Sequence, residues 1–117
     1  MAVILQPCGN KDARAHYNDT VMFPVPHDSV SSFLNETDND NLKDIYPDGM
    51  LKIWGVTPNN QGKWKKVEAG DITLFSKLGS IFASAVATYK IRNKSLAEKL
   101  WGLDAKGNAW EYIYFIA

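Results

Sequence analysis

Apolar and polar positions alternate along the second half of the chain with the two-residue period of a β-strand, in which successive side chains point to opposite faces. Leu51 and Ile53 alternate with Lys52 and Trp54 in the clearest example. Because Trp54 shares its face with Lys52, we expect its ring on the wetter side of that strand. Alternating or continuously apolar stretches predict strands over residues 50–56, 64–68, 72–76, 80–92 and 109–116.

The first half of the chain has a less regular pattern. Residues 2–5 are apolar and predict a short buried strand, which ends at a loop over residues 6–10 that contains proline and glycine. Residues 35–41 are polar and turn-prone and predict a surface loop. Capping residues and apolar spacing favour short helices over residues 12–17, 28–34, 42–46 and 95–101.

These elements predict the fold class. An open sheet with so many apolar residues on both faces would expose them to water, whereas a curved sheet with helices packed outside it buries them. We therefore predict an α+β fold, a small curved β-barrel of about five to six strands flanked by three or four short helices. At 117 residues the chain fits one domain with a single core, spanning residues 1–117.

The cysteine count and the apolar runs of the chain predict the cellular compartment of the protein, and its last strand predicts a linked domain. Cys8 is the only cysteine, so a disulfide framework is excluded and a reducing cytoplasm is expected. No apolar run reaches the length of a membrane span, and no membrane partner is expected. The sequence stops at an apolar predicted strand, so we expect the N-terminal module of a longer protein, with an effector domain linked after Ala117.

Charge is distributed unevenly although the formal net charge is zero. Residues 1–50 carry three Lys or Arg and eight Asp or Glu, whereas residues 51–117 carry ten and five. The two parts therefore have formal charges of −5 and +5. This split favours a polarised surface with a basic face from the second part, although ordinary solvated charge would give the same count.

The sequence contains no recognisable catalytic constellation. His16 and His27 are the only histidines, and neither has the spacing of a metal-binding motif. The acidic loop at residues 35–41 lacks the central glycine and the terminal glutamate of a calcium loop. Nucleophile-elbow, phosphate-loop and dinucleotide motifs are also missing. We therefore expect a non-catalytic domain without a metal ion or another cofactor.

Aromatic and basic residues are the chemistry that remains. Four tryptophans in 117 residues are interleaved with lysines. Aromatic faces stack on nucleobases with about 1–3 kcal/mol per base, while lysines bind phosphates. The lysines expected to contact a nucleic-acid backbone are Lys52, Lys63, Lys65, Lys66 and Lys77. An aromatic-rich core and a hairpin tip with solvated lysines would give the same composition.

Several short motifs, in order along the chain, resemble those of known families. Similarity to EVE domains rests on Trp54-Gly55-Val56-x-x-Asn59, Gly70-Asp71 leading to Phe75, and Leu100-Trp101. Similarity to the core of YTH domains rests on Leu74-Phe75-Ser76 followed by Gly79-Ser80-x-Phe82-x-x-Ala85. The match covers residues 50–117, and Thr57 stands where EVE domains often carry an arginine. Both families share a PUA-like barrel, so the resemblance implies that fold here.

The resemblance also implies a function. Such domains flip a modified base into an aromatic cage, and EVE-like modules serve as specificity parts of modification-dependent restriction endonucleases. The implied partner is double-stranded DNA with a methylated or hydroxymethylated base. A reader of methylated RNA and a small-ligand or protein-interaction barrel remain as alternatives. The implied pocket residues are Trp54, Trp101, Trp110, Gln6, Cys8, Asn10, Gly55, Val56, Asn59, Phe75 and Ser76, with Trp101 and Trp110 as alternative second cage aromatics.

Overall fold

Residues 2–117 are described by the computed structural model, and a six-stranded sheet is their central feature. The strands are β1 Val3–Pro7, β2 Val25–Pro26, β3 Met50–Val56, β4 Ile72–Lys77, β5 Ser80–Arg92 and β6 Tyr112–Ile116. Their order in the sheet is β1-β4-β5-β6-β3-β2, with β1 parallel to β4 and the other neighbours antiparallel. The predicted α+β class and strand number are confirmed. The sheet is curved but unclosed, with β1 and β2 at its edges.

Two irregularities in β5 pairing help to curve the sheet. The pairing of β4 with β5 changes register between Phe75 and Ser76 of β4. The pairing of β5 with β6 changes register between Ala87 and Tyr89 of β5. A bulge of this kind bends its strand and increases the local twist. The long β5 strand thereby bends from one half of the sheet to the other.

Five α-helices occur within residues 2–117, one more than the upper predicted number. They are α1 Lys11–Tyr17, α2 His27–Val30, α3 Glu36–Ile45, α4 Gln61–Lys66 and α5 Lys94–Trp101. Short π- or 3₁₀-helical turns extend α1 and α2 and precede α4; they are Asn18–Met22, Ser31–Phe33 and Pro58–Asn60. Asparagines 10, 35 and 93 cap α1, α3 and α5, each accepting a hydrogen bond from a backbone N–H three residues later.

Two segments that were predicted without helices are helical. Residues 35–41, predicted as a loop, contain the start of α3, because the Asn35 side chain accepts from the Asp38 N–H at 2.7 Å and so caps this polar helix. Residues 64–68, predicted as an edge strand, overlap α4. The Trp64 indole N–H donates to the carbonyl of Ile113 at 2.9 Å, and this contact fixes α4 against β6. Tertiary contacts therefore make residues 64–66 helical rather than extended.

Boundaries differ elsewhere by a few residues. β1 continues through Pro7, where a loop was predicted, and β6 begins at Tyr112 rather than at residue 109. The helix predicted over residues 28–34 is divided into α2 and a 3₁₀ turn. α5 begins at Lys94 rather than at residue 95, and Asn93 caps it by accepting from the Leu96 N–H at 2.9 Å.

The sheet separates two apolar cores. The larger one lies between one face of the sheet and helices α2, α3 and α5, and it includes Leu42, Ile53, Leu96, Ile113 and Phe115. The other fills the concave side and includes Cys8, Trp54, Val56, Phe75, Tyr112, Tyr114 and Ile116. β3 and β6 are therefore buried on both faces, and alternate residues along each strand belong to different cores.

The expected exposure of Trp54 is wrong. Its side chain is only 4% exposed, because the curved sheet covers the face on which it lies. The Trp54 ring packs edge-on against Phe75 with 5.0 Å between ring centroids. This indole is part of the inner core.

Candidate functional site

A cavity of about 270 Å³ lies where the carboxyl ends of β1 and β3 approach each other across the open side of the sheet. The two strands are separated by three others in the sheet, so curvature brings their ends together. The residues that line the cavity are Gln6, Pro7, Asn10, Ala13, Trp54, Gly55, Val56, Thr57, Asn60, Lys63 and Trp110. Its wall thus combines indole residues, amides and one cation.

Two helices fix the position of the cavity. The Lys63 ammonium on α4 donates to the carbonyl of Leu5 on β1 at 3.1 Å. This hydrogen bond ties α4 to an edge strand whose outer carbonyls have no neighbouring strand in the sheet. On the other side, the Asn10 side chain caps α1 by accepting from the Ala13 N–H at 2.7 Å. Asn10, Ala13 and Lys63 therefore reach the cavity from defined positions.

A buried polar pair lies behind the end of β1. The Gln6 side chain is 4% exposed, and its Nε2 donates to the hydroxyl of Tyr114 on β6. Burial raises the pKa of Tyr114, so the hydroxyl stays protonated at neutral pH. Because Gln6 also lines the cavity, its amide is a fixed polar group of the cavity wall.

Trp110 is the less deeply buried indole residue of the cavity wall. It is half-buried and packs edge-on against His16 of α1, with 4.2 Å between the ring centroids. Burial lowers the pKa of His16, although Asp12 and Asp19 partly oppose this shift. The imidazole therefore remains neutral near pH 7 and acts as a packing partner for Trp110.

Trp101 lies on the opposite face of β3 from Trp54. An ideal Cβ built on Gly55 would be 2.6 Å from Cζ3 of Trp101, so this indole packs directly on the glycine backbone. Trp101 also packs against His16, with 5.4 Å between centroids. Trp101 does not line the cavity, whereas Trp110 and Trp54 do.

The structure brings together part of the predicted pocket set. Residues from that set in the cavity wall are Gln6, Asn10, Trp54, Gly55, Val56 and Trp110. Cys8 is fully buried in the inner core, where burial raises its pKa to about 11 and Lys77 partly opposes the shift. Phe75 lies behind Trp54, and Ser76 pairs with Pro7 on the neighbouring strand. Asn59 is exposed and outside the wall, while its neighbour Asn60 is within it.

The predicted lysines are spread over three regions. Lys63 lines the cavity, while Lys65 and Lys66 are exposed on the same helix, α4. Lys77 is exposed at the end of β4, with Nζ 5.1 Å from the ring centroid of Phe82. Lys52 lies near the start of β3, whereas the cavity is at its end.

The sequence interpretation missed four wall residues and a second groove. Pro7, Ala13, Thr57 and Asn60 line the cavity because α1 and the turn before α4 fold over it. A wider groove of about 450 Å³ adjoins it and shares Asn10, Ala13, Thr57, Asn60 and Trp110. Lys11, Asp12 and Asp104 complete that groove. The cavity therefore continues into a partly charged channel at the surface.

Other kinds of site have little support in the described part of the chain. Residues 2–117 contain no group of three or more His, Cys, Asp or Glu side chains that could hold a metal ion. Within the same residues, none of the helices is long and apolar enough to span a bilayer. The cavity and its groove remain the candidate site.

The structure is a small α+β domain built on a curved six-stranded sheet, which is consistent with the fold that the sequence resemblance implied. A solved structure of similar fold is the N-terminal domain of Thermococcus gammatolerans McrB bound to m5C DNA. The two chains are 16% identical with a TM-score of 0.67, and the similarity covers 99% of this chain and 72% of the other. No protein-family model matches the sequence, and no curated protein matches it significantly.

Proposed function

We propose that this chain is a non-catalytic module that binds double-stranded DNA and receives one modified base, flipped out of the duplex, in the cavity between β1 and β3. The proposal depends on that cavity, whose wall combines indole rings, amides and a lysine. The fold around the cavity is similar to that of a domain bound to m5C DNA. Flipped bases are recognised by stacking and by polar groups in a close-fitting pocket.

The wall suggests how a base would be held. Ligand pockets of about 300–1,000 Å³ accommodate drug-sized molecules, so about 270 Å³ suits a group the size of one base. Trp110 is the indole that offers accessible surface, while Trp54 forms a buried part of the wall. The Gln6 amide is positioned to hydrogen-bond a base edge, because its hydrogen bond to Tyr114 fixes its orientation.

Phosphate binding would fall to the basic surface beside the cavity. Lys63 lies in the wall, and Lys65 and Lys66 extend the positive charge along α4. Lys90 donates to the carbonyls of Trp64 and Lys65 at the end of α4, at 3.2 and 3.0 Å, and so anchors the helix that carries these lysines. Binding should therefore weaken as salt concentration rises.

In this proposal the chain directs a modification-dependent restriction enzyme in the cytoplasm. The nuclease or motor would belong to an effector domain linked after Ala117, and residues 1–117 would supply specificity. The buried Cys8 thiol, with its raised pKa, is unsuited to serve as a nucleophile at neutral pH.

The decisive experiment is a panel of otherwise identical duplexes, each with one 5-methylcytosine, 5-hydroxymethylcytosine, 6-methyladenine or unmodified base. We expect one modified duplex to bind more tightly than the plain one, with a preference of about 1–3 kcal/mol. Trp110→Ala should remove most of that preference. Phe23→Ala is the matched control, since Phe23 is 66% exposed and lies outside the cavity wall.

Two results would contradict the proposal. Equal affinity for all duplexes would show that no modified base of the panel is read. Tighter binding of a matched modified RNA would assign the cavity to RNA instead. Trp54→Ala is a poor probe, because removing a buried tryptophan costs about 3–5 kcal/mol and threatens folding.

A further inference from the structure

The hairpin between β4 and β5 carries an unusual apolar tip. Leu78 is 97% exposed, more than any other large hydrophobic side chain of residues 2–117. It occupies a two-residue loop with Gly79, between the paired residues Lys77 and Ser80. An exposed leucine at such a position gains nothing from the protein's own core.

The backbone of this loop holds the leucine in a fixed place. Leu78 has φ +52° and Gly79 has φ +76°, the positive values that a tight type I′ hairpin turn requires at both central residues. Among residues 2–117, Leu78 is the only non-glycine residue with positive φ. Asparagine, aspartate or glycine is usual there, since leucine is sterically disfavoured at positive φ.

The tip projects at the same end of the sheet as the cavity. β1 and β4 are parallel, Pro7 pairs with Ser76, and the Cys8 N–H donates to the Ser76 carbonyl at 2.6 Å. Pro7 lines the cavity, so the cavity lies beside this end of β4. Leu78 comes two residues after Ser76, which places it roughly 7 Å farther along the strand direction.

Positive charge lies near the tip. Lys77 is exposed next to Leu78, and with Arg14 of α1 it lines a shallow groove that also contains Phe82. The pair offers two cations for backbone phosphates near an inserted side chain. An apolar tip with cations near it suits a DNA duplex, whose backbone is anionic, better than an apolar protein surface.

We propose that Leu78 is a positioning residue that enters the base stack and fills the gap left when the modified base turns into the cavity. This inference rests on the proposed function. Apolar side chains inserted at a base step compensate for lost stacking and hold DNA in a distorted form. A flipped base leaves such a gap, and cavity and hairpin tip lie at the same end of the sheet.

The test compares Leu78→Asn with wild type. Asparagine tolerates positive φ, so the variant should keep or raise the thermal midpoint while removing the apolar tip. The probes are the tightest-binding modified duplex of the panel above, with 2-aminopurine next to the modified base, and the same modified strand alone. Val86→Ala is the control, because Val86 is 42% exposed on β5 at the far end of the same hairpin.

We expect Leu78→Asn to lose on the order of tenfold in affinity for the modified duplex, but less than twofold for the single strand, in which no gap must be filled. Its 2-aminopurine signal on the duplex should fall, and Val86→Ala should match wild type. Unchanged duplex binding by Leu78→Asn, or an equal loss for duplex and single strand, would overturn the inference. Failure of the proposed function is recognised separately, as a wild-type protein that does not prefer any modified duplex.

Discussion

Gly55→Ala tests directly how the two sides of β3 constrain the cavity. The added Cβ would lie 2.6 Å from Cζ3 and 2.9 Å from Cη2 of Trp101, and 2.6 Å from the carbonyl oxygen of Trp110. Real Cβ atoms do not approach neighbours so closely, and one of the contacts is backbone, so β3, the Trp101 ring or the Trp110 segment must move. Overpacking of this kind costs about 1–3 kcal/mol.

For a domain of this size that cost corresponds to a fall of about 5–15 °C in the thermal midpoint. The measurement is thermal unfolding followed by circular dichroism, together with DNA binding at a temperature at which both proteins are folded. Affinity should fall as well, because Trp110 belongs to the cavity wall.

Gly62→Ala is the matched control for this experiment. A Cβ on Gly62 in α4 would have no neighbour within 4 Å, and its φ lies outside the positive region. The same substitution there should leave the midpoint unchanged or raise stability by up to about 1 kcal/mol. A Gly55→Ala protein with a midpoint within about 1 °C of wild type would refute the packing of Trp101 on β3, since a displacement of that kind has a measurable cost.

Three further predictions use the neighbouring contacts. Asn10→Ala and Asn35→Ala each remove a 2.7 Å N-cap hydrogen bond and should each cost about 1 kcal/mol in urea unfolding. Only Asn10→Ala should weaken DNA binding, because Asn10 and α1 border the cavity whereas α3 does not, and equal loss in both would contradict this assignment. Tyr114→Phe removes the acceptor of the buried Gln6 amide and should lower the free energy of unfolding by about 1–3 kcal/mol; an unchanged urea midpoint would argue against that pair. Burial lowers the pKa of His16 in the folded state, so its contribution to stability is complete above its ordinary pKa of 6.5 and is lost as the pH falls below that value. The thermal midpoint should therefore fall between pH 7.5 and pH 5, and His16→Gln should flatten that dependence.

The strands were predictable from sequence wherever the pattern had only one explanation. β3, β4 and β5 begin and end within a residue or two of the predicted bounds, because alternation and turn residues mark them. α4 was not predictable in this way. Lys63-Trp64-Lys65-Lys66 fits a strand locally, and its helical state depends on Trp64 contacting Ile113 and on Lys90 binding the carbonyls at the helix end. Residues 25 or more positions away supply those contacts.

The position of Trp54 shows a limit of two-residue periodicity. Alternation correctly separated Ile53 from Trp54, since the two lie in different cores. It did not show that both faces are covered, because that depends on the curvature of the whole sheet. For the same reason the sequence indicated the end of β1 and Trp54 as site elements but not Thr57 or Asn60, which reach the cavity only after the sheet has curved.

A buried Trp54 changes how selectivity must arise. The Trp54 indole is 4% exposed and the Gln6 amide is held by Tyr114, so both side chains are in place before any ligand binds. Binding a base therefore costs little conformational entropy at these two residues. A methyl group adds only about 0.8 kcal/mol of apolar burial, so it cannot by itself supply tight binding. In the proposed function the remaining affinity comes from contacts outside the cavity, which we assign to the lysines of α4 and to the β4–β5 tip. Substitutions at Trp110 should therefore change the preference among modified bases, whereas substitutions at Lys65 or Lys66 should change affinity for all duplexes alike and reduce its salt dependence.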